Sequence, residues 1–170
     1  SQNTFAEKYQ FLSDIIKSTY HVNSKVTIKY NVDLKSIKIT GKYFRKCSLL
    51  NGLALKKVEL GNTVITTLDL FHGWALEELN ISKTKVSDIT PLQKNPIHNL
   101  DISYTAVNDI NIIQSLPIKT LNIAGLRVKN LAPLLNCPQL EKLTLSQDMA
   151  QKEQNVVKVL MERCQVIIIP

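Results

Sequence analysis

The chain has 170 residues with a formal net charge of +7, and 44% of them are apolar and 21% charged. That is the length of one ordinary domain, able to bury about 70% of its unfolded surface, and no run approaches the roughly 20 apolar residues of a membrane helix. Three cysteines, Cys47, Cys137 and Cys164, are odd in number and widely spaced, which excludes a disulfide framework or a CxxC zinc site as the organising feature.

The thiols read as buried and free, with a Cys137 to Cys164 bridge as the lesser alternative. No basic, apolar and small-residue succession opens the chain, and it starts at Ser1, so it reads as a piece of something longer. From the N-terminus, Phe5, Tyr9, Leu12, Ile15 and Ile16 fall on one helical stripe, and Thr4 with Glu7 has the spacing of a capping box. A helix over about 5–19 is predicted. The segment KVTIKY (25–30) alternates as a strand and is expected beside a first repeat strand at 36–40.

From there a metre takes over. Ile37, Val58, Leu79, Leu100, Leu121 and Leu143 recur at intervals of 21, 21, 21, 21 and 22. Ile39, Leu60, Ile81, Ile102, Ile123 and Leu145 stand two residues later, and Leu34, Leu55, Leu76, Ile97, Ile118 and Leu140 three residues earlier. A fixed period of this length signals a solenoid, because one such line cannot bury its own apolar side and must stack on its neighbours. Alternation predicts a short strand in each line. The returns carry Pro91 and Pro96 in SDITPLQKNP, and Pro133 and Pro138 in LAPLLNCP; they are predicted as 3₁₀ turns, too short for full α-helices.

The apolar-x-x-apolar-x-apolar line resembles the leucine-rich-repeat family, and the return T-x-V-x-D-I-x-P-L is similar to that of short internalin-like bacterial repeats. The ninth position of the family pattern, normally Asn, is here Lys42, Thr63, Thr84, Thr105, Leu126 and Asp148. The three Thr hydroxyls are expected to do part of the Asn's work inside the turn. The closing segment has Val156, Val157, Leu160 and Met161 at helical spacing and then the strand QVIIIP, an ending that resembles the repeat tails of bacterial serine/threonine kinases. The expected fold is therefore α/β: a right-handed leucine-rich-repeat solenoid with a curved parallel β-sheet, a 3₁₀ or irregular convex side and terminal caps. The expected divisions are an N-terminal cap over 1–33, six repeats of 21–22 residues over 34–149 and a C-terminal helix-strand cap over 150–170.

In a parallel in-register stack, neighbouring equivalents sit about 4.8 Å apart, so outward columns follow from the period. The central one is Lys38, Glu59, Asn80, Asp101, Asn122, Thr144, with Ser36, Lys57, Glu78, Asn99, Thr120, Lys142 and Thr40, Gly61, Ser82, Ser103, Ala124, Ser146 on either side. Beyond lie Gly41, Asn62, Lys83, Tyr104, Gly125 and Gln147. Lys38 with Glu59, Lys57 with Glu78 and Lys56 with Glu77 are expected to form lateral charge pairs. In the middle repeats Asn80, His98, Asn99, Asp101, Ser103, Tyr104 and Asn122 are expected to face outward without pairing internally, and they are the candidate site for a protein or peptide partner on the concave face.

The excess charge has an address. Lys35, Lys38, Lys42, Arg45, Lys46, Lys56 and Lys57 lie between 35 and 57 with no acid among them, which makes polyanion binding, to nucleic acid or an acidic protein, the first alternative. A regulatory or spacer region of a larger chain, such as a kinase, is the second. Catalysis is not expected: His98 has no nucleophile placed beside it, the adjacent Glu77 and Glu78 face different ways, and no phosphate-binding, nucleophile-elbow, zinc or calcium motif occurs. No cofactor, metal or membrane span is expected.

Overall fold

A computed structural model describes residues 26–31, 33–45 and 47–170, and before them Glu7, Gln10, Asp14 and Ser18. Those four are helical, and Gln10 Nε2 donates to Asp14 Oδ1 one turn on, at 3.1 Å. The apolar stripe and capping box predicted for that helix lie outside the described residues, as does Lys46.

Among the described residues, eight strands follow one another across a single sheet in chain order. β1 (Thr27–Asn31) pairs antiparallel with β2 (Ser36–Thr40). Every later neighbour is parallel: β3 (Lys57–Glu59), β4 (Glu78–Asn80), β5 (Asn99–Asp101), β6 (Thr120–Asn122), β7 (Lys142–Ser146) and β8 (Gln165–Ile169). The register is the predicted one, with Ile37 beside Val58, then Leu79, Leu100, Leu121 and Leu143.

Those six residues are no more than 2% exposed, and the six that stand two positions later are fully buried. Each contributes about 1.5–3 kcal/mol by leaving water, which is why the lines stack rather than fold singly. The third apolar position is buried from Leu55 onward, but Leu34 is 64% exposed. It sits in the β1–β2 turn, its N–H bonded to Asn31 Oδ1 at 2.9 Å. Among the described residues no return precedes this hairpin to cover Leu34.

Five 3₁₀ segments form the returns: η1 (Cys47–Leu50), η2 (Asp69–Phe71), η3 (Thr90–Leu92), η4 (Asn111–Ser115) and η5 (Ala132–Asn136). The last three are opened by the same device. Asp88 and Asp109 each accept the backbone N–H two residues on at 2.8 Å, and Asn130 does so at 3.0 Å, satisfying donors that a helical turn leaves orphaned. Thr63, Thr84 and Thr105 hydroxyls donate to the carbonyls of Leu60, Ile81 and Ile102, each at 2.7 Å. Neighbouring turns are joined through backbone, Lys85 N–H to Ile65 O at 3.1 Å and Ala106 N–H to Val86 O at 2.9 Å.

The sixth return is helical instead. α1 (Gln147–Lys152) and α2 (Gln154–Met161) replace the one predicted helix and break at Glu153. Glu153 Oε2 accepts the Leu131 N–H at 3.2 Å, Lys152 Nζ reaches the Val128 and Lys129 carbonyls, and Arg163 donates to the Leu134 and Leu135 carbonyls. The cap thus ties itself to the exposed backbone of the last 3₁₀ return. Val157 and Leu160 face the core, whereas Met161, expected on the same stripe, is 51% exposed.

Candidate functional site

The sheet face opposite the returns forms a trough of about 400 Å³ running over β3 to β7. Its polar lining comes from Lys57, Glu59, Glu78, Asn80, Asn99, Asp101, Thr120, Asn122, Lys142 and Thr144. A strand of three residues presents its first and third side chains here and buries the second, so each repeat contributes two polar groups to the floor.

The central column is internally bonded, contrary to the expectation from sequence. Asn80 Oδ1 accepts the Ser82 N–H at 2.9 Å and the Ser82 hydroxyl at 2.8 Å. Asp101 Oδ1 accepts the Ser103 N–H at 3.0 Å and the Ser103 hydroxyl at 2.6 Å, and Asn122 Oδ1 accepts the Ala124 N–H at 3.2 Å. Along the column, Asn122 Nδ2 donates to Asp101 Oδ2 at 3.1 Å. A short side chain at the end of a strand is the right length to cap the N–H two residues later. The polar side chains are thereby held in one rotamer.

Of the seven residues expected to form the binding patch, Asn80, Asn99, Asp101 and Asn122 line the trough, and His98, Ser103 and Tyr104 do not. Ser103 is 3% exposed and Ala124 in its column is buried as well; the chain is already turning into the return there, so strand alternation no longer holds, while Ser146, still in β7, is covered beside β8. His98 belongs to the column at the edge where the strands begin. Its N–H bonds to Glu77 O at 2.9 Å, and it helps to hold the Glu77 carboxyl below the ordinary range, after the larger effect of the Lys56 hydrogen bond. Thr120, Thr144 and Lys142 also line the trough; the outward columns already carried them.

Tyr104 stands at the opposite edge, where the strands end. Asn62, Lys83, Tyr104 and Gly125 all take left-handed backbone, with φ of 61, 57, 55 and 71°. For a tyrosine this conformation costs about 1–3 kcal/mol. Its N–H is held by Ala124 O at 2.8 Å, and its ring lies against Gly125, where an added Cβ would come within 2.4 Å of Tyr104 Cδ1. Lys83 Nζ is 5.8 Å from the ring centroid, and the ring remains 47% exposed.

The described residues of the basic block do not form one surface. Lys38 pairs with Glu59 at 2.6 Å, Lys56 with Glu77 at 2.5 Å and Lys57 with Glu78 at 2.9 Å, so acids one turn away in space offset charges that stand alone in sequence. Lys35 lies in the β1–β2 turn, where the strands begin, and Lys42 beyond the end of β2, 5.3 Å from the Tyr43 centroid. A second depression, of about 460 Å³, is walled by Leu53, Leu55, Trp74 and Ala75 with Lys35 and Lys56 in its lining.

Cys47, Cys137 and Cys164 are free thiols. Among the described residues no group of three or more His, Cys, Asp or Glu is placed to hold a metal, and no helix is long and apolar enough to cross a membrane.

The unclosed sheet, parallel from β2 onward, with 21-residue lines and 3₁₀ returns, defines a leucine-rich-repeat solenoid of the internalin type. Among solved structures, the chain is similar to an internalin from Listeria monocytogenes, with a TM-score of 0.60 and 22% identity over 75% of this chain. The match spans 41% of that internalin's length. No protein-family model matches the sequence, and neither does any curated protein.

Proposed function

We propose that this solenoid is a non-catalytic module that holds a protein or peptide partner in the trough over β4 to β6. The observation that carries the reading is the bonding of Asn80, Asp101 and Asn122 into single rotamers. Side chains ordered before association lose little entropy on binding, and the neutral amides around them offer donors and acceptors to a peptide backbone. Tyr104, exposed at the rim, supplies the kind of aromatic that interfaces favour.

The competing reading, a polyanion surface over 35–57, is disfavoured by the three ion pairs that engage Lys38, Lys56 and Lys57. The test is a pull-down from the native source with two variants beside the wild type. Asp101→Lys with Tyr104→Ala is expected to lose the partner, while Lys42→Ala with Arg45→Ala retains it. The reverse result, with steep salt dependence, would move function to the basic block. A spacer role in a longer chain predicts that both variants behave as wild type.

A further inference from the structure

Resting on the reading of the trough as a peptide site, the geometry points to the chemistry of what it takes: we propose that the partner is a polypeptide segment that presents a lysine or arginine side chain to Asp101.

The carboxylates on this sheet face are not equivalent. Glu59 has Lys38 at 2.6 Å and Glu78 has Lys57 at 2.9 Å. Asp101 has no cation within 4.0 Å among the described residues; its strand neighbours in register are Asn80 and Asn122. It carries the unmatched negative charge at the centre of the trough, in a chain whose overall formal charge is +7. A basic segment is therefore drawn to this floor by one specific group, against a general repulsion that turns it away elsewhere.

Asp101 is also prepared for that role. A carboxylate offers about four acceptor sites. Three are taken, two on Oδ1 by Ser103 and one on Oδ2 by Asn122 Nδ2. These donors fix the carboxyl group without neutralising it, and one site on Oδ2 stays open. All three donors are uncharged, so the bond to a partner's ammonium or guanidinium would be the one charge-assisted pair that Asp101 makes. Lys142, two strands further on, has no acid within 4.0 Å among the described residues, so it offers a partner a single positive contact about 10 Å away.

The experiment is selection of displayed random peptides on the whole chain, followed by affinity measurement on peptides synthesised from the winners. The key variant, Asp101→Asn, keeps an oxygen for Ser103, as Asn80 does for Ser82 in the preceding repeat, but it turns the acceptor of Asn122 Nδ2 into a donor; Asn122→Ala, which removes that bond alone, is therefore measured beside it and is expected to keep most of the affinity. Enriched peptides are expected to share a Lys or Arg at a fixed position. Replacing that residue by alanine, or Asp101 by Asn, should each weaken binding about tenfold, and both together no more than either alone.

Additive losses, or winners with no shared basic residue, overturn the proposal. The underlying reading fails differently: it falls if the winners bind equally well to Thr120→Arg with Asn122→Arg, which fills the trough. If these arginines abolish binding while Asp101→Asn leaves it unchanged, the trough is the site and the basic-side-chain inference is wrong.

Discussion

At the scale of single residues, the informative ones are those whose partners lie one or more turns away. Asn95 is 2% exposed and bridges two returns: Nδ2 donates to Phe71 O at 2.9 Å and to Leu92 O at 3.2 Å, and Oδ1 accepts the Leu76 N–H at 3.3 Å. In the string QKNP it reads as an ordinary turn residue, because two of its three partners are 19 and 24 positions away. Asn95→Ala leaves the Leu76 N–H without its acceptor, whereas the Phe71 and Leu92 carbonyls keep the backbone N–H groups of residues 74 and 95; it is expected to cost about 1–3 kcal/mol in urea unfolding. Gly125→Ala meets two separate penalties, the left-handed φ of 71° and the Tyr104 ring. It should destabilise by about 1–2 kcal/mol from backbone alone; adding Tyr104→Ala should recover the remainder, which near-ultraviolet circular dichroism and urea midpoints would separate. Burial pushes the Cys47 thiol up to about 12, at 8% exposure. Cys164 is only half-buried, and although burial raises its pKa, Arg163 works against that. Thiolate and access both govern reactivity, so mass spectrometry after brief alkylation near neutral pH should find Cys164 modified first and Cys47 only on unfolding.

At the scale of elements, the strands from β2 to β4 are stitched by charge pairs, β5 and β6 by the bond from Asn122 Nδ2 to Asp101 Oδ2, and the lines of β6 and β7 by Lys119 with Glu141 at 3.2 Å. The pairs Lys38–Glu59, Lys56–Glu77 and Lys57–Glu78 were legible as neighbours once the period of 21 was known, since residues one period apart must lie side by side. The amide ladder was not: Asn and Asp bond their own turn, and strand periodicity carries no record of that. The Lys56 hydrogen bond holds the Glu77 carboxyl below its ordinary 4.5, so that pair stabilises the fold above about that pH and is lost as pH falls through the lowered value. For Lys57, hydrogen-bonded by Glu78 and raised above 10.5, the contribution is complete below that value and lost in strong alkali. Exposed pairs are worth only about 0–1 kcal/mol each. Urea midpoints should therefore fall modestly between pH 6 and pH 3, and less so in Lys56→Met.

For the whole molecule, stability is a sum over repeats and their interfaces, because each line contacts only its neighbours. Leu100, in the middle of the stack and 2% exposed, and Leu34, 64% exposed in the opening hairpin, both occupy repeat positions in the sequence pattern. Leu100→Ala is expected to cost about 2–5 kcal/mol, whereas Leu34→Ala should stay within about 0.5 kcal/mol; thermal or urea unfolding of the two variants decides. The far end is held by Arg163, which bonds two carbonyls of η5 at once. Arg163→Met keeps much of the apolar stem but leaves the Leu135 carbonyl open and the Leu134 carbonyl with the Cys137 N–H alone, and hydrogen exchange should speed up first in η5, α2 and β8.

The strands, their register, the buried face and the 3₁₀ returns could all be read from the chain, since a period of 21 over four intervals and 22 over the fifth states which side chains must hide and which lie side by side. The helix break, the bonds that Asn and Asp side chains make to backbone, and the exposure of residues where the pattern begins or a strand ends could not. Leu34 is exposed because it sits in the tight β1–β2 turn rather than after a return, and Ser103 is buried because its strand has already ended. Glu153 interrupts the closing helix where its carboxylate caps the Leu131 N–H. In each case, what surrounds the residue is set by chain many positions away, and hydrogen bonding and burial are properties of those surroundings rather than of the residue's place in the pattern.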